Sequence, residues 1–319
     1  MRKSTIIALA KNPDPDLILA AMRCGCRQFI PKPIDHQDLS KAIKLLTRST
    51  TGKTKDERVV CVIGSSGGCG VTTVAANLAV ELASLAAEPC ALMDLQLEFG
   101  SLAAYFDARP AHTIADLTSP GHEVDVQMTE QAMTNLPSNV ALLARPEDVE
   151  QATHVDPERI AHILKLLAAK YDSVVVDTPC RFDSTSVAAM EMATVVLLVL
   201  QLSVPSIRNA SRVSKTLVKY GMPAEKILPV VNRFVRKTPI SPEDVAKHLG
   251  SSVYATIPND YQAVQAALDF GRPLVSDSPD APVRKSIAEM ANRIYKGQLN
   301  TESGNSKRKD GVLSRWFGS

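Results

Sequence analysis

The residues of this chain best suited to chemistry form a glycine-rich turn. The run Gly64-Ser-Ser-Gly-Gly-Cys-Gly-Val-Thr-Thr73 follows an apolar stretch, Val59–Ile63. It opens a helical pattern from Val71 to Leu85 that places Val74, Leu78 and Leu82 on one face. Glycines let such a turn fold so that successive backbone N–H groups point inward, and a helix N-terminus adds partial positive charge. The expected guest is a phosphate group. Gly67, Gly68, Cys69, Gly70, Val71, Thr72 and Thr73 are the candidate nucleotide-binding residues, and Thr72 stands where a hydroxyl would ligate Mg²⁺.

A phosphate loop needs a sheet behind it, and the flanking sequence supplies one. Short apolar runs read as strands at Val59–Ile63, Cys90–Asp94, Val140–Ala144, Val174–Asp177, Val195–Leu200 and Ile227–Asn232. Helical periods lie between them, one from an Asp156 N-cap to Lys170 and one over Ile207–Tyr220, stopped by Gly221. Val174–Asp177 and Val195–Leu200 are apolar at nearly every position, the pattern of strands covered on both faces. The alternation predicts an α/β, doubly wound, mostly parallel sheet.

Composition narrows the rest. The chain has 319 residues, 45% of them apolar, with a net charge of +2. That is enough for one large domain and a small one, and it gives no global signature of a polyanion partner. The six cysteines form no C-x-x-C pair and read as buried free thiols in a reducing cytosol. The start carries no signal-peptide pattern, and Val195–Leu202 is far too short for a membrane span. Boundaries fall at residues 1–48, a small α/β piece; 49–58, a polar linker; 59–298, the large domain; and 299–319, a basic tail with a short apolar end.

The loop resembles the deviant Walker A motif of the ParA/MinD P-loop ATPases, K-G-G-x-G-K-[ST]-T. Gly67, Gly68, Gly70, Thr72 and Thr73 match, while Ser66 and Val71 replace its two lysines. The resemblance extends over nearly all of Val59–Gln298. Asp94-Leu-Gln96-Leu-Glu-Phe-Gly100 is similar to the family's switch I, D-x-D-x-x-x-G, with Gln96 in place of the second, water-orienting carboxylate. Val174-Val-Val-Asp177-Thr-Pro179 is similar to Walker B and switch II. Asn232-Arg233 resembles the family's adenine-reading asparagine segment. The resemblance implies ATP or ADP with Mg²⁺ as cofactors. It gives Thr72, Asp94 and Asp177 as the metal set, the two carboxylates acting through water, and it implies a nucleotide-sandwich homodimer. A strand-end Asp is also a common helix cap or loop anchor. Loss of both lysines and of the second carboxylate predicts weak nucleotide binding and weak or absent hydrolysis, because lysine and metal carry much of phosphoryl transfer.

Within that family, the run from Asp94 to Leu117, with His112, Thr113, Ile114, Asp116 and Leu117, resembles the TadZ/CpaE pilus-assembly branch. His112 itself reads as a turn residue or helix cap. The stretch Ala21–Pro33 resembles the last third of a response-regulator receiver domain, which that branch carries ahead of its ATPase domain. The receiver's phospho-accepting Asp belongs to earlier strands, so no aspartyl phosphorylation is expected in this segment. About 48 residues bury little surface, so the piece is expected to pack on the large domain or on a second copy. A start upstream of Met1 is the alternative.

At the other end, Val312, Leu313, Trp316 and Phe317 fall on one side of a short helix beside Lys307–Lys309 and Arg315. This resembles MinD's membrane-targeting tail, and aromatic residues with nearby cations suit an anionic membrane surface. A tail docked on protein is the alternative. The resemblance implies a cytoplasmic localisation factor, placed at a pole or peripheral to the inner membrane, that recruits pilus-assembly proteins. The competing expectation is an active ParA/MinD-type ATPase positioning DNA, flagella or a division site. Arg208, Arg212, Lys215 and Lys219 form a basic stripe, but a solvated helix face explains such a stripe more simply, so DNA is not the expected partner.

Overall fold

A computed structural model describes residues 6–11, 17, 21, 26–34, 58–118 and 124–299. The chain divides into two units at Asp56/Glu57. In the first, β1 (Ile6–Ala10) pairs in parallel with β2 (Cys26–Pro31), and Ala8 lies opposite Phe29. The sequence pattern suggests strands over 5–9 and 28–30; each observed strand ends one residue later, and β2 also begins two residues earlier. The helix expected over Asp38–Leu46 and the apolar tail at Val312–Phe317 lie outside the described residues.

The second unit is built on eight strands: β3 (Arg58–Gly64), β4 (Cys90–Asp94), β5 (Thr134–Leu136), β6 (Val140–Leu143), β7 (Ser173–Asp177), β8 (Val195–Leu200), β9 (Ile227–Phe234) and β10 (Ala255–Pro258). Their order across the sheet is β10-β9-β8-β3-β7-β4-β6-β5. All neighbours are parallel except the short edge strand β5, which runs antiparallel to β6. Side chains alternate between the two faces of a strand. Val59, Cys61 and Ile63 accordingly join one core while Val60 and Val62 join the other. A central strand therefore needs apolar residues at every position, which is why β7 and β8 are buried along their whole length.

Helices cover both faces. α1 (Val71–Ala86) packs Val74, Leu78 and Leu82 into the second core, beside the last helix, Pro282–Tyr295. Glu81 of α1 accepts two hydrogen bonds from Arg284 of that helix, at 2.7 and 3.0 Å, so the buried carboxylate is paired. On the other face lie α2 (Pro157–Lys170), α3 (Ser184–Glu191) and α4 (Val204–Lys219). Asp156 caps α2 through Glu158 N, as its sequence position predicts. α4 starts earlier than the apolar period suggests, at Val204 and not Ile207, because Ser203 supplies the cap and Pro205 suits the first turn. Strand β9 runs on to Phe234, two residues past Asn232. Arg208, Arg212, Lys215 and Lys219 are exposed along α4. Among the described residues no helix is long and apolar enough to cross a membrane.

Candidate functional site

Parallel strands of an open α/β sheet deliver their following loops to one edge, where ligands bind. Here β3, β4, β7 and β9 bring four loops together. The β3–α1 loop is tied down by its own backbone and by its neighbours. Ser65 N donates to Val199 O at 2.8 Å, and the hydroxyls of Ser65 and Ser206 lie 2.8 Å apart. Gly70 has φ +100°, a left-handed backbone, and a Cβ at that position would collide with the Asn232 amide. Gly67 and Gly68 have open space where a side chain would stand. With Ser66, Gly70, Val71, Thr72, Thr73, Gln96, Thr178, Cys180 and Arg233 they line a cleft of about 250 Å³. Val71 is buried in the core behind the loop, and among the described residues Arg233 is the one basic side chain that lines the cleft.

Gly70, Thr73 and Arg233 also border a second hollow of about 100 Å³, between Val74, Asn232 and Ile257–Tyr261. The two hollows adjoin at these residues as parts of one groove, the second being the more apolar. Another hollow, about 330 Å³, opens beside Met190, Leu217 and Met222 and shares no lining residue with this groove. The backbone cradle, and not size, selects the site.

Asp94 and Asp177 end adjacent strands and lie opposite each other in register. Both are almost completely buried. Burial pushes the Asp94 carboxyl up to about 6, and burial together with the neighbouring Asp94 pushes Asp177 well above the usual carboxylate range. Asp94 accepts from the backbone N–H groups of Gln96 at 3.1 Å and Leu102 at 3.3 Å. It thereby folds switch I back on itself, and Gly100 leaves room for the carboxylate because a Cβ there would overlap it. Gln96 Nε2 donates to Thr72 Oγ1 at 3.0 Å and faces the two Asp177 oxygens at 3.2 and 3.3 Å. The residues placed from sequence at the hydroxyl, Walker B and switch I positions therefore meet at one point.

Asn232 lies at the edge of the second hollow and also shapes the loop. Its Nδ2 donates to Cys69 O at 2.8 Å and its Oδ1 accepts from Arg233 N at 2.9 Å, so both ends of the amide shape the loop. Arg233 takes a left-handed φ of +51°. Thr113 N donates to Asp116 Oδ2 at 2.7 Å and begins a short helix, Ile114–Thr118, with His112 exposed just ahead of it.

Several site residues are visible only in three dimensions. Arg145 donates from Nε to Gly100 O at 2.8 Å and fixes the end of switch I. Arg181 grips both oxygens of Glu98 at 2.9 and 3.0 Å and also Asp183 at 2.7 Å, so the loops after β4 and β7 are joined. The hydrogen bonds from Arg181 hold Glu98 below the usual carboxylate range. Asn77 reaches Thr73 O at 2.8 Å and Tyr105 Oη at 2.7 Å and accepts from Leu274 N at 2.9 Å, bracing the first turns of α1. The signal for Gly100 and Glu98 lay inside the switch I motif. Gly100 is 45 residues from Arg145, Glu98 is 83 from Arg181 and Tyr105 is 28 from Asn77, so these links lie beyond any local pattern.

A strand, glycine loop and helix, two strand-end carboxylates and a groove at the carboxyl edge together define a P-loop nucleotide-binding fold. The sequence profile of the AAA domain family matches residues 57–225, more than half of the chain, and the chain belongs to that family. The septum site-determining protein MinD of Thermotoga maritima is 28% identical over 242 residues, covering 74% of this chain and 87% of that protein. The fold matches the crystal structure of a ParA family ATPase from Chlorobium tepidum, with a TM-score of 0.70, 24% identity, and 75% of this chain aligned to 99% of that one. It also matches MinD from Pyrococcus horikoshii complexed with Mg-ADP, with a TM-score of 0.66, 24% identity, and 77% and 99% of the two chains covered. The chain is a member of the ParA/MinD superfamily of P-loop ATPases.

Proposed function

We propose that this protein is a nucleotide-binding localisation scaffold of Tad/Flp-type pilus assembly, with weak or absent ATP hydrolysis. The observation that carries this reading is a cleft that keeps its glycines and threonines while Ser66 and Val71 stand at the lysine positions and Arg233 is its one basic lining residue among the described residues. Backbone N–H groups and the helix terminus would hold the β- and γ-phosphates, and the hollow beside Asn232 would take the base. Magnesium, when bound to such a site, neutralises phosphate charge. The residues available to it here are Thr72 and, through water, Asp94 and Asp177. Lysine-free phosphate binding lacks the strongest charge-assisted hydrogen bonds, so ATP should bind in the millimolar to high-micromolar range.

Two copies closing over nucleotide would present a surface for other pilus-assembly proteins, with Val312, Leu313, Trp316 and Phe317 available for a membrane surface. The segment 1–48, a receiver-like remnant by sequence, would add a second contact. The specific support for pilus assembly is the Asp94–Leu117 motif run together with this segment.

The competing reading is an active ParA/MinD-type positioning ATPase, and the names of the relatives favour it equally. Calorimetric titration with ATP·Mg²⁺ and a turnover assay separate the two. Weak binding with negligible turnover supports the scaffold. Turnover above roughly 1 s⁻¹, the range of efficient enzymes, overturns it. Val71→Lys should raise ATP affinity by about tenfold, the worth of one charge-assisted hydrogen bond.

A further inference from the structure

The reading above assumes a magnesium nucleotide, and the geometry at Gln96 disagrees with that assumption. A magnesium ion asks for oxygen ligands in an octahedron at about 2.0–2.1 Å. Apart from those of Asp94, the protein oxygens that would serve it, directly or through water, are Thr72 Oγ1 and the two of Asp177. Those three oxygens surround a single group, Gln96 Nε2, at 3.0, 3.2 and 3.3 Å. A carboxamide nitrogen carries two N–H donors and no lone pair available to a metal. Its hydrogens point at the oxygens that a cation would use, so the amide competes with the ion for them.

The amide is also delivered there by a fixed backbone. Leu95 N donates to Asp177 O at 2.9 Å, Gln96 N to Asp94 Oδ1 at 3.1 Å, and Gly100 N to Gln96 O at 2.7 Å. The peptide units on both sides of Gln96 are therefore held. Asp94, the other carboxylate, spends its oxygens on Gln96 N and Leu102 N and turns toward switch I. The position that the motif gives to a second carboxylate thus carries a donor to the oxygens of Thr72 and Asp177.

We propose that Gln96 stands in for the divalent cation, so that the cleft holds a nucleoside di- or triphosphate without magnesium. The phosphate charge then falls to the loop N–H groups, the α1 N-terminus and Arg233. This inference rests on nucleotide binding in the groove, and one experiment separates the two claims.

ATP is titrated into the full-length protein by calorimetry, once with excess Mg²⁺ and once with EDTA. The same pair of titrations is run on Gln96→Asp, which restores a carboxylate. The wild type should bind with affinities that agree within about threefold, whereas Gln96→Asp should prefer Mg²⁺ by about tenfold or more, near 1.4 kcal/mol. A wild-type affinity that falls by about tenfold or more in EDTA overturns the inference and leaves nucleotide binding standing. Binding in neither condition overturns both. The wild-type comparison decides the matter even if Gln96→Asp does not fold.

Discussion

The two halves of the groove have diverged in opposite ways. The phosphate loop, Gly64–Thr73, keeps its shape and has lost its charge. Its glycines remain, its N–H groups remain, and the lysine positions hold Ser66 and Val71. The switch segments, Asp94–Gly100 and Asp177–Asp183, keep charged groups and partner them within the protein. Glu98 and Asp183 share Arg181, Asp94 accepts from two backbone N–H groups, and Asp177 faces Gln96. A switch that moves on nucleotide hydrolysis needs groups left free to bind the γ-phosphate and metal, then released. Here the oxygens of Asp94, Glu98, Asp177 and Asp183 all have partners within the protein. The comparison teaches that a site can retain its architecture while its electrostatics are satisfied internally.

The largest effect should come from breaking the loop's shape. Gly70→Ala forces a side chain into a left-handed backbone and against the Asn232 amide, so urea denaturation should report a loss of about 2 kcal/mol or more. A loss within error would mean that the loop relaxes freely and that its shape is not what the fold protects.

The matching change on the switch side is Gly100→Ala, which drives the Asp94 carboxylate away from Gln96 N and Leu102 N. Its expected cost is smaller, about 1–2 kcal/mol, because Gly100, unlike Gly70, has no left-handed backbone, so the change adds a steric contact without backbone strain. Should Gly100→Ala cost more than Gly70→Ala, the ranking of the two regions is reversed.

Cysteine chemistry sharpens the same contrast. Cys69 lies in the loop and is buried, with burial raising its thiol, whereas Cys180 follows the switch II strand and is exposed at the edge of the cleft. Alkylation of the native protein followed by peptide mass spectrometry should modify Cys180 faster than Cys69 by about tenfold or more. Cys61, pushed up to about 12 by burial, should react only on unfolding. Bound nucleotide should slow Cys180; equal rates with and without ATP would place the ligand elsewhere.

The smallest effect on stability should be that of Arg181→Ala, since surface ion pairs contribute little. No change in Tm beyond the error of a thermal scan is expected, but amide exchange should quicken across Glu98–Gly100 and Arg181–Asp183 together. Exchange confined to one segment would show that the ion pair does not join the switches.

Much of this protein was readable from sequence alone. The apolar runs at 59–63, 174–177 and 195–200 declared buried parallel strands because every position of a doubly covered strand must be apolar. The glycine–threonine run declared the phosphate loop because its backbone conformation depends on local residue types. Asp156 and Gly221 marked helix ends for the same local reason. The short β5 hairpin edge escaped detection, since Thr134–Leu136 has too few residues to show a period. The start of α4 was misjudged because the cap at Ser203 precedes the apolar period.

What tertiary structure alone decided is the fate of the charged and amide groups. Sequence placed Gln96 at a catalytic position, and only the fold puts its amide against Thr72 and Asp177. Sequence placed Asn232 in a motif, and only the fold shows that its amide also ties Cys69 O to Arg233 N. Local residue types set backbone geometry within a few residues, whereas a side chain's hydrogen-bond partner depends on which strand ends the sheet order brings side by side. In this sheet β7 lies between β3 and β4, and that order, absent from any single motif, gives Gln96 its neighbours.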